Sequence, residues 1–384
     1  MNRWKSRGAV AALLLGVAVL SGCGSGSSDG AASGGASAST GTSDAAAALA
    51  AAYKGVTGTP PSTPTKPKAG VKLWVVSCGQ QIPGCATPTA GVEEAAKLVG
   101  WNVTMCDGQL NPGGWGNCIR QAASAHADVV IPIGIDCVSV QAPMQEAVKA
   151  GTKIIGGGGA DCTAAGGTKL MSSERLQLPD TSIKQYWNLN GKLQADWIIG
   201  KTGGKAKVLL LNFTDPIWGP WITEGFKQEL ATCSGCAITA QLDLSNNDQI
   251  SNQLAQKFST ALLQNSSANA VSIPISGWLL AGLAQAIQSS GRAGSLVVAS
   301  SFGDASTMDL IRTAGFTYGA LGYATEWGSY GSVDTAIRVV NGEQPVVEGD
   351  GLQMVDKTTN LPASGDYEGD VDYKAAYKEI WGLG

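Results

Sequence analysis

From residue 71 onward the chain alternates apolar runs of strand length with stretches of helical periodicity, and that rhythm halts once and then restarts. Residues 72–76 (KLWVV) predict a strand. Residues 89–99 carry Val92, Ala95, Ala96 and Val99 on one helical face, closed by Gly100. Strands at 102–105, 128–131 and 153–155 follow, separated by helices at 115–125 and 138–150. The stretch 168–179 fits neither period. A long helix over 183–201 then opens a second series, with strands at 207–211, 237–242, 270–273, 296–299 and 318–322 and helices at 221–231, 248–264, 279–289 and 305–313. A helix at 331–340 and a strand at 352–355 remain. Strands alternating with helices at this spacing form βαβ units with parallel sheets. The interruption divides them, so the expectation is an α/β protein of two doubly wound parallel-sheet lobes.

The N-terminus has a different character. Arg3, Lys5 and Arg7 precede an apolar run over 9–20, and Leu20-Ser21-Gly22-Cys23 follows at once. As a helix that run rises about 18 Å, short of the hydrocarbon core of about 30 Å. Basic residues, a short apolar run and a lipobox-like motif in this order predict a lipoprotein leader over 1–22, with Cys23 taking the lipid. The alternative is an ordinary signal peptide with an incidental cysteine. Residues 24–43 are almost entirely Gly, Ser, Ala, Thr and Asp, 45–53 allow a short helix, and 57–69 are rich in Pro, Thr and Lys. Together 23–70 reads as a lipid-anchored flexible tether. Residues 71–167 then form part of the first lobe, 168–322 a crossing and the second lobe, and 323–384 a return crossing with the last helix and strand. The membrane is reached through the lipid alone, and the expected location is the extracytoplasmic face of the cell membrane.

The remaining chemistry points away from catalysis. Nine cysteines less Cys23 leave eight, an even number that suits disulfides in an oxidising compartment. Many connectivities are possible. Placement at strand ends favours Cys78–Cys85, Cys106–Cys118, Cys137–Cys162 and Cys233–Cys236. The last pair has redox spacing but stands at a helix end, as a loop clip would. His126 is the one histidine, too few for a multi-histidine metal site, and it has no acid–base partner in view. No nucleophile or phosphate-binding motif occurs. Gly156 to Gly159 follow a strand but lack the dinucleotide fingerprint, which suggests backbone that must approach a ligand or a strand closely. A formal charge of −4, more negative once the basic leader is lost, disfavours nucleic acid. No enzyme activity, metal or cofactor is expected.

Residues 128–155, running DVVIPIGIDCVSV through EAVKAGTKII, resemble the ribose-type (type 1) periplasmic binding proteins. In that family a strand ends in a short motif closing with Asp, a helix ends in Ala-Gly, and a further strand follows. Residues 191–197, 207–211 and Glu224-Gly225-Phe226 look like the start of the second lobe of the same family. The likeness covers about 71–355. It implies two lobes joined by crossing strands, with ligand held in the cleft between them. Open parallel sheets place ligands beyond the carboxyl ends of their strands. That nominates Ser77, Gln80, Asp107, Asp136 and Asp161 in the first lobe, and Asp215, Trp218, Trp278 and Phe302 in the second. Tyr323, Glu326 and Trp327 lie near the return crossing. Asp136 falls on the family's ligand-binding Asp, although it could instead cap the helix that follows. Other family positions depart: an Asp-Arg pair falls on Gly158 and Gly159, an Arg near Pro220, and an Asn-Asp on Ile275 and Ser276.

The resemblance therefore implies a monomeric solute-binding lipoprotein that captures a small neutral or weakly polar ligand, sugar-like by analogy. It would deliver that ligand to the permease of an ABC transporter. The alternatives are a ligand-sensing receptor of the same fold and a structural or adhesive surface lipoprotein.

Overall fold

The computed structural model describes residues 36–384; Cys23 and the leader lie outside them. A first helix, α1 (Ala36–Lys54), precedes the first lobe. That lobe contains β1 (Lys72–Ser77), α2 (Pro83–Leu98), β2 (Asn102–Asp107), α3 (Pro112–Ser124), β3 (Val129–Pro132), α4 (Gln141–Lys149) and β4 (Lys153–Ile154). Its sheet is parallel throughout, in the order β2-β1-β3-β4. The second lobe begins with α5 (Ile183–Lys201), β5 (Lys207–Phe213), α6 (Trp218–Leu230), β6 (Ala237–Leu244), α7 (Asn246–Ile250) and α8 (Leu254–Gln264). It continues with β7 (Ala270–Ser272), α9 (Ala284–Ser289), β8 (Val297–Ser301), α10 (Ala305–Thr313) and β9 (Thr317–Tyr323). The sheet order is β10-β9-β8-β7-β5-β6. The fold is thus the expected pair of α/β lobes. The edge strand β10 (Leu352–Asp356) departs from it by running antiparallel to β9.

The chain passes between lobes at 55–71, at 172–182, at 323–325, at 342–351 and at 357–372. Helices α11 (Thr325–Asn341) and α12 (Tyr373–Ile380) belong to the first lobe, where Val333, Ala336, Ile337 and Tyr377 join a core built on Leu73, Val75 and Val129. Strand β10 lies between them in sequence but joins the core of the second lobe through Leu352, Met354 and Val355.

Helix starts account for most boundary differences. Pro83 and Pro112 take first-turn positions, where a missing N–H is harmless, so α2 and α3 begin earlier than their apolar periods suggest. Asn111 caps α3 by accepting from the Gly114 N–H, and Ser182 with Gln185 forms a capping box on α5. The helix expected over 248–264 is two helices, broken where Asn252 adopts a positive φ of 56°. The one expected over 279–289 opens with a wide turn at Leu279–Leu283, in which Gly282 has φ 116°.

The expected tether over 23–70 needs correction. Residues 43–70 are part of the folded body. Ala45 and Ala52 are buried against the second lobe, where Gly200 of α5 has no room for a Cβ beneath Leu49. The Tyr53 hydroxyl donates to Asp356 Oδ2, and Val56 bridges Leu352. Further on, the Thr65 N–H donates to the Ile380 carbonyl and Lys68 Nζ to that of Val340. Ala45, Ala48, Leu49, Ala52 and Tyr53 form an apolar stripe, mostly of small residues, against the second lobe, while residues 56–70 are held mostly by hydrogen bonds that leave no pattern in the sequence.

Candidate functional site

A cavity of about 550 Å³ lies between the two lobes, within the range typical of small-molecule sites. The first lobe supplies Ile82, Leu110, Trp115, Ile133 and the Cys78–Cys85 disulfide. The second lobe supplies a contiguous aromatic wall. Trp187 and Trp218 stack with centroids 5.0 Å apart, and Phe213 meets Trp218 edge-on at 5.5 Å. Phe302 and Tyr323 continue the wall at 6.0 Å. Phe302 holds its place with φ 81°, a left-handed backbone that a bulky residue adopts at a cost.

Five of the twelve nominated residues border this cavity: Asp136, Asp215, Trp218, Phe302 and Tyr323. Asp136 is buried after β3, and both its oxygens are engaged. Oδ1 accepts the Ala160 N–H at 2.8 Å within its own lobe, and Oδ2 accepts the Ile217 N–H at 2.8 Å from the opposite lobe, just before α6. Burial pushes its pKa up to about 6 against the pull of these two donors. The carboxylate therefore ties the two lobes together at the cavity wall. Asp215 is exposed and accepts the Asn246 N–H.

The other seven point elsewhere. Gln80 donates from Nε2 to Ser77 Oγ at 2.7 Å and from its backbone to Asp107 Oδ1 at 3.1 Å, so these three tie one loop to its neighbour. Asp161 accepts the N–H groups of Thr163, Leu170 and Met171. Trp278 is fully buried behind Phe213 and donates to Gln249 Oε1. Glu326 pairs with Lys374, and Trp327 stacks on Tyr373 inside the first lobe. Strand-end position fixes where a residue is, but not which way its side chain turns.

Most of the cavity lining escaped the sequence, Trp187 and Arg175 among it. Trp187 is on α5, which the sequence shows only as a long helix. Arg175 is in the stretch that broke the strand–helix rhythm, and that break was itself the available signal. Arg175 is buried with two carboxylates, Glu348 Oε2 at 2.6 Å and Asp350 Oδ2 at 2.8 Å, and also donates to the Tyr323 hydroxyl. Burial opposes its charge, but Asp350 and Glu348 more than offset that and raise its pKa. Burial in turn lifts Glu348 to about 7, with Arg175 pulling the other way. The cluster draws on the crossings at 172–182, 323–325 and 342–351, so it knots the hinge. Gly328 lies against the guanidinium, and a Cβ there would collide with it.

Gly157 and Gly158 border the cavity, and a Cβ on Gly159 would strike the Ile135 carbonyl, so the run brings backbone close both to the cleft and to the neighbouring strand end. The cysteines pair as Cys78–Cys85, Cys106–Cys118, Cys137–Cys162 and Cys233–Cys236. Among the described residues no acidic, Cys or His cluster could hold a metal ion, and no helix is long and apolar enough to cross a membrane.

The periplasmic binding protein domain family matches residues 74–344. No curated protein matches the sequence. Among solved structures, a solute-binding protein of an ABC transporter from Mycobacterium smegmatis, with bound glycerol, shares the fold at TM-score 0.65 and 16% identity, covering 78% of this chain and 100% of its own. One from Agrobacterium vitis, bound with α-D-tagatopyranose, gives TM-score 0.64 at 20% identity, covering 75% and 95%. One from Actinobacillus succinogenes 130z, with bound D-allose, gives 0.61 at 17%, covering 76% and 98%. Two α/β lobes, repeated crossings, an interlobe cavity and a family match over most of the folded body agree: the chain belongs to the ribose-like, type 1 periplasmic binding protein family.

Proposed function

We propose that this protein captures a small molecule in the interlobe cleft and, held outside the cell membrane by a lipid on Cys23, presents it to the permease of an ABC importer. The observation that carries this reading is the interlobe cavity of about 550 Å³, at whose wall a hydrogen bond from the Ile217 N–H to Asp136 joins the two lobes. A cleft that closes by a bond between lobes presents a transporter with two distinguishable shapes, empty and loaded. Solved proteins of this fold hold D-allose, α-D-tagatopyranose and glycerol, which supports a small neutral ligand.

A thermal-shift screen over sugars, polyols, nucleosides and amines should find compounds that raise the melting temperature. Small-angle scattering should show the same compounds shrinking the molecule. Compounds that bind without any closure would contradict the reading, as would turnover of a bound compound. Membranes from cells expressing Cys23→Ala should release the protein, and an unmodified Cys23 in membrane-derived wild type would refute the anchor.

A further inference from the structure

Building on the binding role above, we propose that the cleft is made for a neutral molecule with a flat, largely apolar ring, seated ring-inward with its polar groups at the second-lobe rim. The reason is a mismatch between what the interior offers and what a polyhydroxylated ligand needs. Most interior polar groups already have a partner in the protein; the buried indole N–H of Trp187 has none and offers a ligand a single donor. Both oxygens of Asp136 accept backbone N–H groups. Asp304 accepts from Thr307 and Ser276. Ser329 donates to the Pro88 and Thr325 carbonyls, and Ser332 to those of Gly156 and Gly328. Arg175 is held by two carboxylates and a phenol. A buried hydroxyl without a partner is costly, so a ring of hydroxyls would be poorly met here.

The faces left without such commitments are apolar. Trp187, Trp218, Phe302 and Tyr323 form one wall, and Ile82, Leu110 and Ile133 face the same space from the first lobe. Ring stacking and burial are what such walls supply. The strained backbone of Phe302 keeps its ring in that wall. Free polar groups gather instead where the second lobe meets solvent. Asp215 is exposed there, the side-chain amides of Asn246 and Asn247 make no hydrogen bond within the described residues, and Gln249 keeps its amide nitrogen free. Among the described residues bordering the cavity the one cation is Arg175, already neutralised, so an anionic ligand has nothing to pair with.

Two matched probe pairs test this by titration calorimetry on the full chain: phenyl against methyl β-D-glucopyranoside, and adenosine against D-ribose. The ring-bearing member of at least one pair should bind about tenfold tighter or more. That gap should collapse in Phe302→Leu and in Trp218→Ala, with melting curves confirming that both variants fold. Equal or tighter binding of the methyl glucoside or of D-ribose would overturn the inference while leaving a solute-binding protein in place. Absence of binding by both ring-bearing probes would overturn it too, and closure around D-allose or glycerol would then show that the binding role survives without it.

Discussion

Asp136 shows how one carboxyl can hold two lobes. Its two oxygens face two backbone donors, one from each side of the cleft. Burial raises its pKa from 3.8 to about 6, so the folded protein binds a proton there that the unfolded chain has released by the same pH. The contribution of this residue to stability is therefore complete below pH 3.8 and is lost as pH rises through about 6. Asparagine does not titrate, so between pH 4 and 6.5 wild type should lose about 2 kcal/mol relative to Asp136→Asn, whatever the constant cost of that substitution. Denaturant melts at each pH measure this, and parallel profiles for the two proteins would contradict it. Asp136→Ala, which removes the bond to Ile217, should weaken ligand binding about tenfold or more, as expected for a charge-assisted hydrogen bond. The sequence pointed to this position through the end of a strand and an Asp-containing motif. It could not tell a ligand acceptor from a latch, because that depends on where the opposite lobe places its N–H groups. Trp278 and Trp327 were nominated by the same strand-end argument and turn into their own lobes instead.

At the level of elements, the central strands were legible because β1, β3, β5 and β7 are short, largely buried runs rich in apolar residues. Two crossings were legible as a break near 168 and a return near 323, but their contents were not, since a hinge segment buries charge rather than a stripe. Arg175, Glu348 and Asp350 come from crossings far apart in the chain and meet in a site where each is almost wholly buried. Removing the cation strands two carboxylates, so Arg175→Ala should cost about 3–5 kcal/mol of stability. Glu348→Gln, which keeps the cation paired with Asp350, should cost less, and chemical denaturation of both variants checks the order. The bridges Cys78–Cys85, Cys106–Cys118 and Cys137–Cys162 clamp loops at the cleft end of the first lobe, while Cys233–Cys236 clips a turn in the second. Short loops limit the chain-entropy gain to about 2–4 kcal/mol per bridge. Cys78 and Cys85 also border the cavity, so reduction should weaken ligand affinity at reductant concentrations that leave the fold intact. Non-reducing peptide mapping reports the pairing, and a bridge from a first-lobe cysteine to Cys233 or Cys236 would contradict it.

For the whole molecule, the order of lobes was readable from one interruption in a repeating pattern, whereas the place of the N-terminal segment was not. Helix α1 rests on the second lobe, and Tyr53 and Lys201 share Asp356, holding that carboxyl down to about 2 despite its partial burial. The segment then runs beside the crossing at 342–351, where the Gly58 N–H meets the Gly349 carbonyl, and reaches the first lobe at Thr65. The N-terminal segment therefore packs on the second lobe first and crosses to the first lobe before β1 begins. It is a strap laid beside the hinge, so a cut between residues 55 and 65 would free one of the threads that sew the two halves together.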